Sequence, residues 1–127
     1  MPAYDNRYFN PPAPLATVTL RNSGGGKTVS DVPMLIDSGA DVTLIPQQSV
    51  TMRGATIEPD VGYEVASFDG RKSTAQAVNL DLIFLRRAFR GRFLVSNQAW
   101  GVVGRDVLNH VAVLLDGPRL LWDEQKS

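Results

Sequence analysis

From Val78 to Phe84 the chain reads VNLDLIF, with Val78, Leu80, Leu82 and Phe84 at every second position. A spacing of two places side chains on one face of a β-strand, whereas a helix would scatter them around its surface. Short β-rich runs of the same kind recur along the chain: LATVTL from Leu15, VPMLID from Val32, VTLIP from Val42, YEVASF from Tyr63, FRGRFLVS from Phe89, VAVLLD from Val111 and RLLWD from Arg119. Turn-forming clusters separate them, namely NSGGGK at 22–27, DSGAD at 37–41, Asp69-Gly70 and Gly117-Pro118. Only DVLNH at 106–110 has the pattern of a helix, a short one, with Asp106 placed to accept from first-turn amides. The pattern predicts an almost all-β domain with one brief helix near its C-terminal end.

The chain has 127 residues, 43% of them apolar and 20% charged, which suits one domain with one core. Prolines at 2, 11, 12 and 14 withhold amide donors and disfavour helix, so residues 1–14 are expected to be a flexible tail and residues 15–127 the domain. Thirteen basic and thirteen acidic residues cancel, leaving no overall field that would draw the chain to nucleic acid or an anionic membrane. The absence of cysteine removes a disulfide scaffold, a thiolate zinc site and a cysteine nucleophile. The opening stretch MPAYDNRYFNPPAP lacks the basic-then-apolar order of a secretory signal. No apolar run approaches the roughly 20 residues of a membrane-spanning helix. A cytoplasmic location is the resulting expectation.

Several features suggest chemistry and fail on their context. GGGKT at 24–28 resembles the end of a phosphate-binding loop, yet the glycine required five positions before Gly26 is Arg21, and the residues that follow cannot open a long helix. A flexible hairpin is the better reading. His110 is the only histidine, so a histidine metal cluster is not available, and no G-x-S-x-G elbow presents a serine nucleophile. Arg86, Arg87, Arg90 and Arg92 form a basic run with one aromatic nearby, Phe89, which reads as a solvated strand face. No cofactor and no metal are called for.

The segment MLIDSGADVTLIP at 34–46 is different. An acid sits at the end of an apolar run, two small residues follow, and the apolar residues resume. Asp, Ser and Gly are ordinary turn residues, and a lone DSG would carry little weight. This segment, however, resembles the active-site stretch of the aspartic proteases, in which an apolar strand leads into Asp-Thr/Ser-Gly-Ala and a second apolar strand follows. Here those positions are Asp37, Ser38, Gly39 and Ala40. Downstream, GVVGRDVLNH at 101–110 resembles the second signature of the retroviral-type members, two apolar residues and a glycine followed by Arg-Asp and a short helix. Between the two, EVASFDGRKSTAQ stands where retropepsin-like proteins carry the flap that closes over substrate. The resemblance covers residues 15 to 123.

The resemblance implies a closed, barrel-like half of an acid protease, active as a homodimer on extended polypeptide. Asp37 would be the catalytic residue, and the second carboxyl would come from the Asp37 of another copy, since the chain has a single D-[ST]-G triplet. Ser38 would tie the two active-site loops together, while Gly39 and Ala40 would let the backbones approach. Gly39, Asp41, Phe68, Asp69, Gly70 and Val102 would line the substrate groove. Val103 would support Asp37 from below, Gly104 would allow a close chain crossing, and Arg105 would pair with Asp41 to lock the loop. VAVLLDGPRLLWDE, from Val111 to Glu124, would form the dimer sheet. The alternative within the same fold is a catalytically silent dimerisation or peptide-binding module.

Overall fold

The computed structural model describes residues 2–22, 27–53, 57–66 and 72–125. Ten strands and two short helices succeed one another: β1 (Tyr4–Asp5), β2 (Ala13–Asn22), β3 (Thr28–Ile36), β4 (Leu44–Pro46), α1 (Gln47–Arg53), β5 (Ile57–Ala66), β6 (Lys72–Phe84), β7 (Arg87–Ser96), β8 (Gly101–Val103), α2 (Arg105–Leu108), β9 (Val113–Asp116) and β10 (Leu121–Glu124).

The alternating pattern of β6 does what its period requires. Val78, Leu80, Leu82 and Phe84 all point into the core, joined by Val18 and Leu20 from β2 and by Met34 from β3. Each leucine taken fully out of water contributes about 1.5–3 kcal/mol. β6 is long because its edge serves two neighbours. Leu80–Ile83 pair with Thr19–Asn22 of β2, whereas its first half pairs with β5. The other edge pairs with β7 from Ala77↔Leu94 to Phe84↔Arg87. With β3 beside β2, β8 beside β3, β4 beside β8 and β7 beside β4, the sheet returns to β6 and closes a six-stranded barrel. Closure leaves few open edges.

One connection shapes the mouth of the barrel. β8 runs parallel to β3, with Leu35↔Val102 and Ile36↔Val103 in register, and antiparallel to β4 through Leu44↔Val102. The chain leaves β3, turns through residues 37–43, and enters β4 on the far side of β8. The loop that begins with Asp37 therefore arches over the end of β8.

Two expectations need correction. Residues 2–14 are not a loose tail: Tyr4 and Asp5 pair with Pro14 and Ala13, and Ala3 bridges to Leu121. The Tyr4 amide donates to the Leu120 carbonyl at 2.8 Å, the Trp122 amide donates to the Pro2 carbonyl at 2.9 Å, and Phe9 packs on Trp100 with ring centroids 4.8 Å apart. Proline removes only its own donor, and a sheet edge tolerates that loss. The second correction is α1, which comes directly after Pro46. With Val50 as its buried apolar anchor, it is too short for a helical period to register in the sequence. Among the described residues, no helix is long and apolar enough to cross a membrane. The glycines at 24–26 fall outside the described residues.

Candidate active site

Asp37 comes directly after the apolar end of β3, so its backbone direction is set by strand pairing. Its amide donates to the Val103 carbonyl of β8 at 3.1 Å. Its Oδ1 accepts from the Gly39 amide at 2.9 Å, and its carbonyl accepts from the Ala40 amide at 3.2 Å. Those two bonds fold DSGA into a compact turn that turns the carboxyl back over its own backbone. A Cβ at Gly39 would lie 3.1 Å from Asp37 Oδ1, so any side chain there would press the carboxylate aside by a few tenths of an ångström. Asp37 and Ala40 are half-buried, and Ser38, Gly39 and Asp41 are exposed.

The loop is held from beneath by the junction between β8 and α2. The Arg105 amide donates to the Ala40 carbonyl at 2.8 Å, and the Arg105 Nη1 donates to the Ser38 carbonyl at 2.8 Å. Arg105 was expected to pair with Asp41. The structure gives its guanidinium to a backbone carbonyl of the loop instead, so the locking partner is the chain itself and not the neighbouring acid. Gly104 lies under the crossing: a Cβ there would stand 2.5 Å from the Val42 carbonyl oxygen, which no side chain tolerates without moving the backbone. Val102 and Val103 are buried in β8, and the Val103 carbonyl is the one Asp37 leans on. Gly101 likewise leaves no room for a side chain against Leu44 and Met34.

Asp106 departs from the role read from sequence. Gly104 occupies the N-cap of α2 with no side-chain cap bond, and Asp106 turns to Thr43. Its Oδ2 accepts from the Thr43 amide at 3.1 Å and its Oδ1 accepts from Thr43 Oγ1 at 2.5 Å. Thr43 Oγ1 in turn accepts from the Gly104 amide at 3.1 Å. Neither Thr43 nor Asp106 stood among the candidate site residues. A single threonine inside an apolar strand gives no signal until its partner 63 positions away is known.

Beside the loop, Ser38 and Ile36 line a small cavity of about 190 Å³ with Leu108, Val111, Val113 and Leu115. The β9–β10 hairpin thus stands next to the Asp37 turn, and it exposes Leu114, Leu115 and Leu120 at 46%, 52% and 45% of their surface. Phe68, Asp69 and Gly70 lie outside the described residues, between the paired ends Ala66 and Lys72 of β5 and β6. Among the described residues, no group of three or more His, Cys, Asp or Glu side chains gathers to hold a metal ion.

Comparison with protein-family profiles and with curated proteins finds no match. Comparison with solved structures finds 91 matching chains. One is the EIAV protease in complex with the inhibitor HBY-793, which superposes with a TM-score of 0.60 at 17% sequence identity, covering 84% of this chain and 91% of that one. The closed six-stranded barrel agrees with that likeness, and the chain has a retropepsin-like fold.

Proposed function

We propose that this protein is an aspartic endopeptidase, active as a homodimer and hydrolysing peptide bonds in extended polypeptide. The observation that carries the reading is the Asp37 turn: a carboxyl at the lip of the barrel, held by the Gly39 amide in a loop braced by Arg105 and adjoining an exposed apolar hairpin. One such carboxyl is half of a working pair.

Hydrolysis without a metal or a covalent nucleophile requires one group to take a proton from water while another gives a proton to the peptide carbonyl oxygen. In the aspartic proteases two adjacent carboxyls do both, because like charges so close share one proton between them. Water then bonds to the carbonyl carbon, the tetrahedral intermediate collapses, and the C–N bond breaks as its nitrogen is protonated. In this chain both carboxyls would be Asp37, one from each copy about a twofold axis. Ser38 and Gly39, at the exposed side of the turn, would meet their counterparts there. Pro2–Tyr4 occupy one edge of β10 within the same chain, and among the described residues no strand pairs with the outer edge of β9, which is where a second hairpin would add. Asp41, Val102 and the flap residues Phe68, Asp69 and Gly70 would line the substrate groove.

The test is cleavage of a denatured protein by the wild-type chain and by Asp37→Asn, from acid to neutral pH, with mass in solution measured in parallel. The expected result is a dimer that cleaves, is blocked by a hydroxyl-bearing transition-state mimic such as pepstatin, and loses cleavage on substitution. A monomer at assay concentration, or activity unchanged in Asp37→Asn, overturns the proposal. A dimer that binds peptide without cutting it identifies the silent module instead.

A further inference from the structure

We infer that Thr43 and Asp106 are a positioning pair that fixes the height and tilt of the Asp37 carboxyl, and this rests on the peptidase reading above. The loop from 37 to 43 is attached to the barrel at three levels. At its start the Asp37 amide is bonded to Val103, and at its middle the Ser38 and Ala40 carbonyls are bonded to Arg105. At its end the whole attachment passes through Thr43. That threonine is completely buried, and its single hydroxyl both donates to Asp106 Oδ1 and accepts from the Gly104 amide.

This geometry makes Thr43 the one side chain of the loop that joins the β8–α2 crossing and the first residues of α2. The second Asp106 oxygen takes the Thr43 amide, so the carboxylate grips backbone and side chain of the same residue. Valine has nearly the same shape as threonine but no hydroxyl. It would leave the buried Gly104 amide without its acceptor and Asp106 Oδ1 without its donor. The crossing would then relax, and because Gly104 packs against Val42 and Ala40 too closely to admit even a Cβ, a relaxation there would move the loop that carries Asp37. Thr43 is buried, and the bonds of the pair go to each other and to Gly104 and not to the Asp37 carboxyl. Their effect falls on how well the two carboxyls face each other, which matters in the transition state more than in substrate binding.

The experiment compares kcat and KM of the wild-type dimer with those of Thr43→Val, Thr43→Ser and Asp106→Asn, at a temperature well below the lowest melting point of the set. Thr43→Val should lower kcat about tenfold with KM changed less than about twofold, because a small displacement of a reacting group affects the chemical step first. Thr43→Ser, which restores the hydroxyl, should return kcat to within about twofold of wild type. Asp106→Asn keeps one acceptor and should fall between them. A purely structural role would lower the melting temperature of Thr43→Val and leave kcat alone, which would overturn the inference. So would a Thr43→Ser as slow as Thr43→Val. If Thr43→Val does not fold, Asp106→Asn decides by the same split between kcat and KM. A wild-type dimer without activity overturns the peptidase reading, whereas an active wild type matched by Thr43→Val overturns the positioning pair alone.

Discussion

Asp37 and Asp81 belong to the same barrel, yet their surroundings are opposite. Asp81 lies in β6 on the face away from the core, directly across from Arg21 of β2 on one side and Arg90 of β7 on the other. Arg90 Nε donates to Oδ1 at 3.0 Å and Arg21 Nη2 donates to Oδ2 at 3.0 Å, and the two side chains cover the carboxylate until only 1% of the residue is exposed. The bond from Arg90, aided by Arg21 and opposed by burial, holds the Asp81 carboxyl below the usual carboxylate range. Among the described residues no cation reaches Asp37, which takes one hydrogen bond from the Gly39 amide. A carboxylate gripped by two guanidiniums is committed to its charge. The DSGA turn gives Asp37 no such grip, only the single bond from a backbone amide.

The largest test of that contrast is a pair of isosteric substitutions. Asp37→Asn should lower kcat by about 10³-fold, within the range for losing a general acid or base. Asp81→Asn should leave kcat within about twofold of wild type, because the bonds it alters run to Arg21 and Arg90 and none runs to the loop. Peptide-cleavage rates under saturating substrate decide the matter. A large loss in Asp81→Asn would break the contrast.

The sequence made the two aspartates legible to different degrees, for physical reasons. Asp37 stands in a local pattern, apolar strand, small-residue turn, apolar strand, so its place on a loop between β3 and β4 comes from neighbours in the chain. The alternation of Val78 to Phe84 likewise fixes the inward face of β6. That same alternation puts Asp81 on the outward face, and nothing nearby announces that it is buried. Part of its cover comes from Arg90 across the β6–β7 turn, and the rest from Arg21, 60 positions away, through a register only the closed barrel creates. The turn from β6 to β7 is illegible for another reason. Leu85 and Arg86 adopt φ of 53° and 65°, a conformation usually given to glycine or asparagine, because the tight pairing of Phe84 with Arg87 imposes it. Thr43 and Asp106 share the difficulty of Asp81: their bond spans the chain, and local pattern predicted a helix cap instead.

The Asp37 side of the contrast also depends on how closely the chain crosses beneath the loop. Gly104→Ala places a methyl group 2.5 Å from the Val42 carbonyl oxygen and should destabilise the fold by about 1–3 kcal/mol, the usual range for overpacking. Gly117→Ala is the matching control, since nothing lies within 4 Å of an added Cβ there. Thermal unfolding of the two variants should show a loss for the first and little change for the second. Equal melting temperatures would mean the crossing is looser than it stands.

The second copy sharpens the same contrast from outside. Asp81 finds both its partners within the chain, whereas Asp37 is proposed to find its own across an interface. Leu115 is half exposed and lines the cavity next to Ser38. Leu115→Lys should weaken dimerisation about tenfold by burying a charge against apolar side chains. Sedimentation over a dilution series measures it, and activity per chain should fall with dilution earlier than in wild type. Dimers of unchanged strength would move the interface away from β9.

The smallest effect belongs to the Asp81 row itself and is read by pH. A carboxyl whose folded-state pKa is depressed stabilises the fold fully above the pKa of a free aspartate, about 3.9, and loses that contribution as pH falls through the folded value. Asp81→Asn should therefore be less stable than wild type near neutral pH, by about 1 kcal/mol for charge-assisted bonds that are partly open to water. The gap should begin to narrow below about pH 4 and close only as pH falls through the depressed folded value, where the wild type protonates Asp81 and comes to resemble the variant. Salt should shrink the gap as well, since the Arg90 side chain is 71% exposed and its attraction is screened. A gap that persists unchanged into acid would mean that Asp81 matters by its shape and packing on β6, and the row of Arg21, Asp81 and Arg90 would then differ from the Asp37 turn in burial alone.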